Sequence, residues 1–144
     1  MTNRQRVDVL DRGQCLRLLG TVRVGRLVFT EDDQPAVQPV NFRLHQGHVV
    51  IRIAGGAKLA AATGNAVVAF EADELDADLH SGWSVTVVGR AGLITDVNEL
   101  VEMSGTFLQP WVAGRRDHFI RILTEKVTGR RLHPPVTAQP RPAT

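Results

Sequence analysis

"WSVTVVGRAGLI", residues 83–94, is the stretch that decides the fold. Alternation places Trp83, Val85, Val87 and Gly89 on one face and Ser84, Thr86, Val88 and Arg90 on the other, which is the period of a strand. A strand this long predicts a sheet that bends. Gly89 and Gly92 permit a bulge or a barrel corner.

Strands of the same kind lie on both sides of it. "AVVAFEAD" (66–73) precedes it, separated by the polar, irregular "ELDADLHSG" (74–82). Further upstream, "VVIRI" (49–53) puts Val49, Ile51 and Ile53 on one face and Val50 and Arg52 on the other. "VGRLVFT" (24–30) and "AVQPVNFRL" (36–44), joined by the turn-like linker "EDDQP", read as an antiparallel hairpin. Pro39 in its second strand cannot donate a ladder hydrogen bond, so it belongs at an edge, a bulge or a ligand-facing gap. Downstream, "HFIRILTEKVTGRRL" (118–132) supplies a last strand or two.

Short helices punctuate the strands. "DRGQCLRLLG" (11–20) has the capping-box pair Asp11 and Gln14, an apolar side of Cys15, Leu16, Leu18 and Leu19, and Gly20 or Thr21 at its end. Asp96 and Glu99 repeat the capping pattern, and Leu100, Met103, Ser104 and Phe107 follow at helical spacing until Pro110. Gly105 weakens that helix by about 1 kcal/mol relative to alanine. Six or so strands with short helices between them predict a mainly β domain, a small antiparallel barrel. The expected division is an N-terminal arm over 1–10, the domain over 11–133 and a tail over 134–144 with four prolines in eleven residues.

The totals fit one domain of 144 residues, 43% hydrophobic and 22% charged. No apolar run approaches the ~18 residues of a membrane span. The two arginines near the start have no apolar segment behind them, which argues against a secretion signal and for the cytoplasm. Cys15 is the only cysteine and cannot form a disulfide within the chain. The net charge of +2 is spread out, and seven aromatics without a tyrosine give few stacking platforms, which argues against nucleic acid as a partner.

Little protein-borne catalysis is visible. His45, His48, His80, His118 and His133 make no zinc pattern, and Ser84 is in no nucleophile elbow. The acidic run Glu71, Asp73, Glu74, Asp76 and Asp78 reads as a solvated loop or a cation site. "IRIAGGAKLA" (51–60) is more specific: a strand, two glycines and a helix beginning near Lys58. Unpaired N–H groups at the helix start, turned by Gly55 and Gly56, with Arg52 as a fork and Lys58 as a point charge, suit a phosphate. A plain strand-to-helix turn with two surface cations fits the same residues. No Walker loop is present.

The order of segments carries a resemblance. "CLRLLGTVRVGRLVFT", "PAVQPVNF", "IRIAGGAKLA", "VVAFEADELD", "GWSVTVVGRA", "LQPW" and "TGRRL" follow one another as in the pyridoxamine-phosphate-oxidase-like proteins, which are flavin- or deazaflavin-binding split β-barrels. The chain resembles in particular their small branch of nitroimidazole-reductase-like and actinobacterial members, over about residues 11–132. The resemblance implies a homodimer with FMN, or the deazaflavin coenzyme F-420, in grooves between subunits. Arg52, Ala57 and Lys58 would then hold the phosphate. Pro39, Val40 and Asn41 would run beside the isoalloxazine ring. Trp83 and Ser84 match the strand lining the pocket, and Trp111 with Arg115 or Arg116 matches a segment reaching the neighbouring subunit's site. For both tryptophans, core or interface packing is an equal alternative.

The implied activity is a flavin-dependent oxidoreductase passing hydride or electrons to a small planar acceptor, with the cofactor carrying the redox step. A deazaflavin-dependent reductase, its anionic cofactor tail lying along Arg43, Arg90, Arg115, Arg116 or Arg121, and a non-catalytic ligand-binding barrel stand as alternatives. Vitamin B6 oxidation itself is not implied, because "RLH" (131–133) lacks the aromatic context of the true oxidases and the chain has no tyrosine.

Overall fold

The elements run β1 (Arg4–Leu10), α1 (Arg12–Leu19), β2 (Val24–Glu31), β3 (Gln34–His45), β4 (His48–Ala54), β5 (Val67–Asp76), β6 (Ser81–Leu93), α2 (Val97–Thr106), β7 (Asp117–Ile122) and β8 (Lys126–Val136). They come from a computed structural model that describes residues 4–54, 59, 63–107 and 117–136. The mainly β expectation is borne out. Six antiparallel strands, in the order β6-β5-β2-β3-β4-β7, close into a barrel through the pairs Ala91↔Ile122, Gly92↔Arg121 and Leu93↔Ile120.

The long strand β6 makes the barrel a split one. One of its edges pairs with β8 from Gly82↔Leu132 to Val88↔Lys126, and then with β7 from Ala91 onward. The change of partner falls at Gly89, where an added Cβ would run into the Leu123 carbonyl oxygen. The seam is stitched by Leu123 N–H donating to the Arg90 carbonyl (3.1 Å) and Arg90 N–H donating to Glu125 Oε1 (3.0 Å). Only a residue without a side chain allows β7 and β8 to share this edge.

Period-two alternation fills the barrel. Leu27, Phe42, Ile51, Phe70, Val85, Val87, Ile120 and Ile122 are all buried and belong to one core cluster. Phe42 and Phe70 meet edge-on at 4.6 Å between ring centroids. Truncating either to alanine should cost about 3–5 kcal/mol. Helix α1 lies over β6 and β8, with Cys15 against Gly129. Its capping box is as expected: Asp11 Oδ1 accepts from Gln14 N–H (2.8 Å) and Gln14 Oε1 from Asp11 N–H (2.9 Å), worth about 1 kcal/mol.

Helix α2 covers the outer face of β4 and β7. Val50, on the same face as Arg52, is therefore buried in a second cluster with Ile94, Met103, Phe107 and Phe119. The second capping box is half formed. Asp96 Oδ2 accepts from Glu99 N–H (3.0 Å), but the Glu99 carboxylate reaches Arg121 at 3.2 Å instead of turning back.

"EDDQP" is the turn expected of it: Glu31 pairs with Gln34 across a two-residue turn in which Asp32 and Asp33 both take positive φ (51° and 61°), the backbone that matches strand twist in tight hairpins. Two segments differ from the sequence reading. "ELDADLHSG" is mostly ladder, because β5 runs to Asp76 and β6 starts at Ser81. Residues 4–10, read as an arm, pair along β8, which itself continues past residue 133 to Val136. Among the described residues no helix is long and apolar enough to cross a membrane.

Candidate functional site

Strand β3 is paired with β2 from Gln34 to Asn41, but its pairing with β4 begins only at Asn41↔Arg52. Beyond that pair β4 leaves β3 and continues along β7, with Ile53 opposite His118 and Ala54 opposite Asp117. The splay opens a cleft of about 290 Å³ lined by Val24, Pro39, Val40, Asn41, Arg52 and Ile53, among others. Pro39 stands two residues outside the last β3–β4 pair, on an edge that no described strand covers. Of the three places expected for it, the free edge facing a gap is the one found. A residue lacking an N–H belongs there, and neighbouring backbone groups on that edge can meet a ligand's polar rim.

Cross-strand register explains which side chains converge. Val24, Asn41 and Arg52 lie opposite one another on three consecutive strands, so they share the outer face of the barrel. Arg26 lies opposite Pro39 on the same face. Its Nη1 sits 3.2 Å from both Glu71 Oε1 and Asp73 Oδ2. Two carboxylates share one guanidinium nitrogen here. Burial, followed by the neighbouring Asp73, pushes the Glu71 carboxyl up to about 7 against the pull of Arg26.

The sequence-derived set divides in three. Pro39, Val40, Asn41 and Arg52 come together in the cleft. Trp83 and Ser84 do not join them within one chain. Trp83 is 5% exposed and packs in the barrel core, at the floor of a larger cleft of about 720 Å³ with Glu74, Asp76, Arg131 and His133. Ser84 points outward into a third groove with Thr86, Thr128 and Arg130. As neighbours on β6 they point to opposite faces, and each opens into a different cavity of the chain. Ala57, Lys58, Trp111, Arg115 and Arg116 lie outside the described residues.

Val24, Gln38 and Ile53 line the cleft without having been singled out in the sequence. The signal was present for Val24, a strand-forming residue two positions before Arg26 that is 51% exposed in the structure. "RLH" (131–133) is occupied structurally. His133 Nε2 lies 2.8 Å from Asp8 Oδ2, a contact that holds the Asp8 carboxyl below its ordinary value. Histidines 45 and 48 are likewise engaged, with Glu102 (3.5 Å) and with the Thr124 N–H (3.2 Å). Among the described residues no group of three His, Cys, Asp or Glu could hold a metal ion.

Comparison with known proteins adds to this geometry. The profile of the family described as pyridoxamine 5'-phosphate oxidase matches residues 11–131. The chain is 39% identical over 128 residues to the uncharacterized protein Rv0080 of Mycobacterium tuberculosis, covering 85% of this chain and 84% of that one. It superposes on the FAD binding protein of Mycobacterium smegmatis with a TM-score of 0.72 and 38% identity, over 86% of this chain and 98% of the other. A FAD-binding protein from Mesorhizobium loti gives 0.67 and 26%, over 89% and 98%.

Proposed function

This chain belongs to the pyridoxamine 5'-phosphate oxidase family, and from that premise we propose that it is a flavin-dependent oxidoreductase. In this reading it binds FMN at a homodimer interface and passes hydride or electrons to a small planar acceptor. The observation that carries the reading is the splay of β3 from β4, which sets Arg52 and Asn41 beside the open edge at Pro39. Two similar solved proteins are FAD-binding by name, which supports a flavin as the ligand.

The residues fit the group. Arg52 offers a charge-assisted fork to a phosphate. Asn41 and the uncovered backbone of β3 offer donors and acceptors to the ring's polar rim, and Val24 and Ile53 give it apolar walls. Bound flavin would supply the redox chemistry, and the chain's task is to bind, orient and exclude water. The dimer is supported by apolar side chains on the outer face of the sheet: Val24, Val37 and Val67 are each more than half exposed.

The purified protein should be yellow or turn yellow with added flavin. A nicotinamide nucleotide should bleach it, and a nitro-aromatic or quinone acceptor should restore the colour. Bound flavin that no nicotinamide nucleotide bleaches would make the protein a carrier. A chain that binds no flavin or deazaflavin would refute the reading.

A further inference from the structure

The outer face of β2, β3 and β5 carries apolar side chains around a charged centre. Val24, Val37 and Val67 stand on it more than half exposed. Val28 lies between them, opposite Val37 on β3 and Ala69 on β5. Arg26 is flanked in the same way, by Pro39 on one side and Glu71 on the other. Neither helix covers this face. Helix α1 packs against Gly129, opposite the core residue Val85, and α2 lies over Val50 and Phe119.

The centre holds one cation and two anions. Arg26 Nη1 is 3.2 Å from Glu71 Oε1 and 3.2 Å from Asp73 Oδ2, and both carboxylate side chains are less than a third exposed. Among the described residues their ion pairs are those to Arg26 alone. On β6 they face only the hydroxyls of Thr86 and Ser84. The next charge on that side is Arg130 of β8, opposite Ser84 and in no ion pair with the cluster. Two carboxylates gathered on one guanidinium nitrogen repel each other, and a proton on Glu71 relieves this by letting it donate to Asp73. Protonated, the cluster is neutral. Ionised, it has one net negative charge.

We propose that a second copy of the chain docks on this face and that docking takes up a proton on Glu71 of each copy, so the dimer loosens as Glu71 ionises. The inference rests on the homodimer reading and adds what regulates it. In a two-fold contact the same patch faces itself, so the exposed valines leave water together with both clusters. A neutral cluster tolerates that burial, whereas an uncompensated carboxylate does not. Partial burial already raises the Glu71 carboxyl to about 7 in the single chain. Covering it raises it further, so the dimer keeps protons that separated chains release above about pH 7.

Sedimentation of the purified chain at pH 6, 7 and 8 and fixed ionic strength tests this, beside Glu71→Gln and Asp73→Asn, each first checked for folding by its thermal melt. Wild type should self-associate at least roughly tenfold more weakly at pH 8 than at pH 6, since each copy must regain a proton to dock. Glu71→Gln, the uncharged shape of the protonated acid, should keep its pH 6 affinity at pH 8 within about threefold. Asp73→Asn leaves one carboxylate for one guanidinium and should do the same, so it carries the test should Glu71→Gln fail to fold. A wild-type dimer equally tight at pH 6 and pH 8, or a pH dependence that survives in the folded variants, overturns the proton link and leaves the dimer standing. A wild-type chain that is monomeric throughout overturns the dimer reading itself.

Discussion

Gly89 and the Leu123 carbonyl meet at the seam of the barrel, so closely that no side chain fits between them. This contact lets one edge of β6 serve β8 first and β7 afterward. Gly89→Ala should destabilise the protein by roughly 2–3 kcal/mol, the range for overpacking a site that cannot yield. Gly92→Ala, where an added Cβ meets nothing within 4 Å, should cost much less. Chemical denaturation of the pair checks this, and equal stabilities would remove Gly89 as the reason for the split.

The Glu71–Asp73–Arg26 cluster makes stability depend on pH. With its pKa raised from an ordinary 4.5 to about 7, Glu71 holds a proton in the native state that the unfolded chain has already released. Its contribution is therefore complete below pH 4.5 and is lost as pH rises through about 7. Because the cluster is partly solvated, the change should be only about 1 kcal/mol. Melts between about pH 5 and pH 8 should show the decline, and Glu71→Gln should flatten it. An unaltered slope in that variant would place the pH dependence elsewhere.

Cys15 should be inert in the native protein. It is fully buried against Gly129, and burial, followed by Asp11, raises its thiol pKa. A thiol reagent should label it only as fast as α1 opens, and at the full rate in denaturant. Prompt labelling of folded protein would contradict the packing of α1.

Val37 is 65% exposed on the outer face of β3. Val37→Asp should leave the melting temperature of the monomer nearly unchanged but weaken self-association at least tenfold by sedimentation. Burying an unpaired carboxylate between copies is costly. A variant that associates as tightly as wild type, or a wild-type protein that does not associate, would contradict the proposed dimer contact on this face.

The strands and caps were legible because each depends on residues close in sequence: the alternation in 83–94, the Asp11–Gln14 pair, the missing N–H of Pro39. What escaped depends on distant partners. Nothing near Val50 says that α2 will bury it, and nothing near Gly89 names Leu123 as its neighbour. Glu99 fits a capping box until Arg121, more than twenty residues later, takes its carboxylate. Four cleft residues were found because β3 carries three of them in a row and Arg52 pairs with the last. Trp83 and Ser84 open into two other cavities of the same chain, a separation set by how β8 packs along β6 and not by any residue beside them in the sequence.

The central claim is that the cleft at Asn41 and Arg52 holds the phosphate end of a flavin. Its most direct test is a titration of apo-protein with FMN and with riboflavin, which lacks the phosphate, in wild type and in Arg52→Ala. The account predicts that the variant binds FMN roughly tenfold more weakly and riboflavin about as well as wild type does, the loss expected for one charge-assisted contact. Equal losses for both ligands, or none for FMN, would contradict it.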